Sequence, residues 1–134
     1  YELGHIIFRE FVGFDRRLPI WMDEGVVSYL EKEQIGARLK AARTLARMKS
    51  FMTLEELTAV RSPETIVLPY IFYSEAASVI EFLMDEYGKD KFVSFCQRLK
   101  GLRQGEEWFD AMKDVYGFKD LAAMNEKWVV FLQK

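Results

Sequence analysis

Glu2 and His5 stand three residues apart in Tyr1-Glu2-Leu3-Gly4-His5, and after a gap of eighteen residues Glu24 follows in Trp21-Met22-Asp23-Glu24-Gly25. A carboxylate and an imidazole at this spacing project from one face of a helix, and position 1 lies on that face as well. Such a pair can hold a metal ion with a base beside it, or it can be a structural pair without chemistry. Both readings are consistent with residues 1 to 5, and a further carboxylate at Glu24 adds weight to the metal.

The elements that must position these residues are helical. Leu3, Ile6, Ile7 and Phe8 recur among polar residues from Glu2 to Phe11 with a period near 3.6, and Gly13 closes that helix. A loop from Phe14 to Pro19 follows, in which Pro19 breaks any continuing helix, and a second helix is expected from about Met22 to Glu33, with Glu24 in its first turn. A third spans about Ala37 to Met48. Thr53-Leu54-Glu55-Glu56 has the form of a capping box that opens a short helix toward Val60. Thr65 to Pro69 is short and ends in proline, so it reads as an extended connection. The longest helix runs from Tyr70 to Tyr87, with Gly88 as its stop. Further helices are expected over Asp90–Leu99, Glu106–Tyr116 and Asp120–Leu132, separated by Gly101, Gly105 and Gly117. The sequence therefore predicts an all-α domain of about seven helices, without internal repeats, over residues 1–134.

Composition narrows the functional classes. Nineteen Lys and Arg against 21 Asp and Glu give a net charge of -2, which offers no electrostatic case for nucleic acid or an anionic membrane. The densest basic stretch, Arg38 to Lys49 with Lys40, Arg43 and Arg47, is interleaved with Ala and Leu and reads as a solvated helix face rather than a phosphate site. Cys96 is alone, so no intrachain disulfide can form, and the compartment is not legible. No apolar run approaches the roughly 20 residues a membrane span needs. Eleven Phe, six Tyr and three Trp supply aromatic surface, but Phe92, Phe95, Trp108, Phe109, Trp128 and Phe131 fall at helical spacings that suit a core.

The opening pattern resembles the gluzincin clan of zinc peptidases. There an H-E-x-x-H helix binds zinc through both imidazoles, and a Glu on a second helix is the third ligand. The eighteen-residue gap is similar to that of the aminopeptidase branch, and Pro19-Ile20-Trp21-Met22-Asp23-Glu24-Gly25 looks like the P-x-W-x-x-E-G segment of peptidase-MA-like domains. Pro and Trp would anchor the loop, and a Gly after the ligand would let helices pack closely. Tyr73-Ser74-Glu75-Ala76 resembles the place where a Tyr opens a long helix and donates to the oxyanion.

The resemblance implies His5 and Glu24 as zinc ligands, Glu2 as general base toward the attacking water, and Tyr73, with Tyr70 as alternative, as oxyanion donor. Tyr1 departs from it by standing where the first ligating His belongs. A phenolate ligand, an α-amine ligand and a decayed site filled by the phenol are the three accounts of that residue, and the third is the leading expectation. The chain, which opens on Tyr rather than Met, is expected to be a fragment or processed product without the upstream β subdomain that holds substrate in the clan. The resulting expectation is a metallopeptidase-like domain acting on peptide or protein substrates, impaired or inactive for want of a ligand, with zinc weakly bound or absent. The alternative is a non-catalytic helical module that binds a protein partner on the same scaffold.

Overall fold

A computed structural model describes residues 2–13, 17–47, 52–66 and 68–134, with backbone alone for residues 2, 3, 32–37, 47 and 63. Among them run eight α-helices: α1 Glu2–Val12, α2 Ile20–Leu30, α3 Lys32–Arg47, α4 Leu54–Ala59, α5 Pro69–Tyr87, α6 Lys89–Lys100, α7 Trp108–Tyr116 and α8 Leu121–Leu132. The domain is all-α, as the periodicity predicts, and each of the eight helices answers to one segment read as helical in the sequence.

The local signals act as their chemistry requires. Thr53 Oγ1 accepts the Glu56 N–H at 3.2 Å while the Glu56 carboxylate accepts the Thr53 N–H at 3.1 Å, which completes the capping box of α4. Gly117 takes φ +78 and closes α7 in the left-handed conformation that glycine adopts without strain. Two boundaries differ from expectation. Pro19, with φ fixed at -59, caps α2, and its carbonyl accepts the Met22 N–H at 3.1 Å, so the helix starts at Ile20 and Glu24 lies a full turn inside it. The break before α3 falls at Glu31 rather than at residues 34–36, because one glycine inside a helix costs only about 1 kcal/mol. Of residues 65–69, Thr65 ends a 3-10 turn, Pro63–Thr65, and Pro69 is the first residue of α5, while Val67 lies outside the described residues.

Helix α5 is the hub, packed by α2, α3, α6 and α8, and its buried residues include Phe72, Ala76, Ala77, Val79, Ile80, Phe82 and Leu83. Of the aromatics expected in the core, Phe95, Trp128 and Phe131 are buried, and Phe92, Trp108 and Phe109 pack against its edge. The Cys96 thiol is buried, and burial pushes it up to about 12, so it is no nucleophile at neutral pH. The pattern misleads on α1: Phe8 and Val12 face the core, whereas Ile6, Ile7 and Phe11 are exposed.

Helices α2 and α5 approach closely at Gly25. A Cβ on Gly25 would stand 2.5 Å from the Ala76 carbonyl oxygen and 2.9 Å from Ile80 Cγ1. Gly25 thus brings α2 onto α5, whereas Gly4 on α1 meets Val27 only at ordinary contact distance. Gly25→Ala must push two helix backbones apart and is expected to cost about 2 kcal/mol. Chemical denaturation checks it, and an unchanged midpoint would mean the helices separate freely.

Candidate functional site

Helices α1, α2, α3 and α5 bring four polar side chains to one corner. His5 comes from the first turn of α1 and Glu24 from the middle of α2, and His5 Nε2 lies 3.5 Å from Glu24 Oε1. One turn along α1, Arg9 Nη2 donates to Asp23 Oδ2 at 2.7 Å, a further polar contact between α1 and α2. Glu24 is 13% exposed at its side chain; burial raises its carboxyl above the usual range, and the Arg38 charge partly offsets this. Asp23 is likewise raised by burial, against the lowering influence of Arg9 and His5.

Tyr73 enters from the first turns of α5, held beside Glu24 by the Gly25–Ala76 contact one turn further on. Burial and the negative charge of Glu24 raise its phenol, and Arg38 lowers it. The phenol therefore stays protonated at neutral pH and keeps a proton to donate. Arg38 on α3 lies over the Tyr73 ring, 5.8 Å from its centroid. Tyr70, the alternative donor, is 64% exposed.

The corner can be tested for zinc on its own distances. Two ligands on a tetrahedral zinc, with bonds of about 2.0–2.1 Å, lie roughly 3.3 Å apart. The 3.5 Å between His5 Nε2 and Glu24 Oε1 fits that edge. Among the described residues no group of three His, Cys, Asp or Glu side chains comes together for a metal. Tyr1 lies outside the described residues. Glu2 belongs to α1, and its side chain too lies outside them. The structure thus joins His5, Glu24 and Tyr73 at one place, in helices that begin at residues 2, 20 and 69.

The family model of the Peptidase MA superfamily matches residues 1–134. The chain belongs to that superfamily. No curated protein and no solved structure matches it. It is a metallopeptidase-like domain, and the superfamily is in general zinc-dependent.

Within this Peptidase MA domain, Arg38 is the site residue that the sequence reading missed, by assigning the stretch from Arg38 to Lys49 to a solvated face. The signal was present. Ala42 and Ala46 are fully buried, and Arg38 precedes them by four and eight residues, so it shares their inward face. Arg43 departs from the solvated reading too: its guanidinium lies over Phe131, 5.2 Å from the ring centroid, and its charge acts on Glu81. Among the described residues of the stretch, Lys40 and Thr44 are the exposed ones.

Proposed function

We propose that the His5–Glu24 corner is a peptide-hydrolysing site of the gluzincin type, aminopeptidase branch, in which Tyr1 has taken a ligand position and left zinc weakly held and turnover impaired. The observation that carries this reading is the 3.5 Å between His5 Nε2 and Glu24 Oε1, across two helices whose spacing in sequence suits the clan. His5 and Glu24 are the residues that would hold zinc. When bound, zinc supplies a Lewis acid and lowers the pKa of water.

The chain's own residues supply the rest. Glu2, one turn before His5 in sequence, takes the proton from the attacking water. Tyr73, protonated at neutral pH, donates its hydroxyl to the oxygen that gains charge as the carbonyl is attacked. Arg38 offsets part of the burial cost that Glu24 carries, and so keeps a larger fraction of that carboxylate ionised. The substrate is a peptide or protein.

Zinc per chain tests the proposal, measured by elemental analysis after purification without chelator and dialysis against trace zinc. The expected result is zinc well below one per chain, falling further in His5→Ala and Glu24→Gln. A full equivalent in the parent chain would overturn the impaired reading, and bound zinc indifferent to both substitutions would remove the corner itself.

A second reading has one observation of its own. Ile6, Ile7 and Phe11 on α1 are 50%, 43% and 61% exposed, an apolar strip suited to a non-catalytic module with a protein partner. In that case Ile7→Glu with Phe11→Glu would abolish partner binding with no effect on zinc. Among the described residues no helix is long and apolar enough to cross a membrane.

A further inference from the structure

Behind the Arg9–Asp23 contact lies a cavity of about 860 Å³, within the size range of ligand sites. Four arginines line it: Arg9 from α1, Arg17 from the loop before α2, Arg61 from the segment after α4, and Arg103 from the loop between α6 and α7. Segments far apart in sequence thus deliver the same charge to one space. Two glutamates also line it, Glu106 and Glu107. Arg9 is answered by Asp23, and Glu106 by Arg98, which stands outside the lining. Arg17, Arg61 and Arg103 are exposed, and among the described residues none of them forms a salt bridge. The cavity therefore carries an excess of positive charge on a chain whose net charge is -2.

Leu18, Pro19 and Trp108 add apolar wall to the cavity, beside the polar Thr58 and Gln104. A guanidinium fork matches a carboxylate in geometry, and apolar wall between forks suits the body of a peptide better than a bare inorganic ion. The location is equally informative. Asp23 precedes Glu24 on α2, and Arg9 follows His5 by one turn of α1, so the cavity shares a wall with the candidate metal corner.

We infer that this cavity binds the acidic residues of a peptide whose chain reaches the His5–Glu24 corner, which makes acidic peptides the substrate class of the domain. The link to substrate rests on the peptidase reading above; the binding itself does not require metal.

The test is calorimetric titration, with tryptophan fluorescence in parallel, of the whole chain with a blocked tetraglutamate peptide in metal-free buffer. Trp108 lines the cavity and meets Trp21 edge-on at 5.9 Å between centroids, so an occupant alters its surroundings. Tetraglutamate is expected to bind, tetralysine and tetraserine not, and raising salt from about 50 to about 300 mM is expected to weaken binding. Arg61→Ala combined with Arg103→Ala is expected to lower affinity roughly fivefold, as for two exposed ion pairs. Both side chains are exposed, and the bond that Arg103 makes to Glu106 comes from its backbone N–H, so the fold is retained. Silence in both readouts at millimolar peptide, affinity unchanged in the double variant, or inorganic phosphate binding as tightly as the peptide would each overturn the inference. The titration in metal-free buffer reports on the cavity, and the zinc content of the chain reports separately on the metal corner, so failure of one is distinguishable from failure of the other.

Discussion

Tyr1→His is expected to raise zinc affinity about a hundredfold. Structural zinc sites with four ligands bind with roughly 10–16 kcal/mol, or about 3 kcal/mol per ligand, and each 1.4 kcal/mol is a factor of ten. A His at position 1 stands four residues before His5, the spacing at which two imidazoles on one helix face reach one ion. Together with Glu24 it would complete the three protein ligands of a catalytic zinc. Adding Glu24→Gln to that background is expected to remove most of the gain, because a neutral amide oxygen is a poorer ligand than a carboxylate. Tyr1→Phe separates the accounts of the native residue. Unchanged affinity excludes a phenolate ligand, and a loss shows a phenolate that ligates. Competition against a chromophoric chelator measures all four proteins, and an affinity indifferent to position 1 and to Glu24 would place the metal elsewhere.

The folding pattern was legible wherever a local rule operates. Thr53 with Glu56 marked the start of α4, Gly88 and Gly117 marked helix ends, and the buried stripe of α5 from Phe72 to Leu83 followed the 3.6 period. Rules of that kind concern neighbours in sequence. What was not legible depended on packing between distant segments. The period that marked Leu3, Ile6, Ile7 and Phe8 as one helix gave no indication that α1, packed against α2 and α6, buries Phe8 and Val12 and leaves the isoleucines outside. Gly25 read as a small residue beside a ligand, but the helix that it admits is α5, at Ala76, about fifty residues further along the chain.

The site was legible in the same partial way. His5 and Glu24 were found from their spacing, which is a property of two helices packed side by side. Arg38 was not found, because a charged residue among alanines looks solvated until a neighbouring helix supplies Glu24 and Tyr73 to face it. The arginine-lined cavity is a stronger case of the same limit. Arg17, Arg61 and Arg103 belong to three unrelated loops, and no window of sequence contains any two of them.

Glu75→Gln is expected to stabilise the domain at alkaline pH, with the gap over the parent chain widening by about 4 kcal/mol between pH 5 and 9. Glu75 is fully buried in α5, and its two carboxylate oxygens accept the Met52 N–H at 2.9 and 3.2 Å. Burial pushes its carboxyl up to about 8, with the charge of Glu56 raising it further and the Met52 hydrogen bond lowering it. In the unfolded chain it titrates near 4.5. Between those two values the folded state holds a proton that the unfolded state has released, so stability is full below about pH 4.5 and falls as pH rises toward 8. Glutamine keeps the size of the side chain and an oxygen for Met52 but has no proton to lose. Asp23, Glu24 and Glu81 are also raised by burial, so a shallower slope of the same sign should remain in the variant. Urea midpoints across this range measure the effect, and parallel pH profiles would show that Glu75 ionises without penalty. The consequence reaches the candidate site, because Glu75 sits two residues from Tyr73 and ties the segment before α4 to the start of α5. Burial opposes the charge there, so in the parent chain the start of α5, with Tyr73, the proposed oxyanion donor, is expected to open more readily at alkaline pH before the phenol itself titrates.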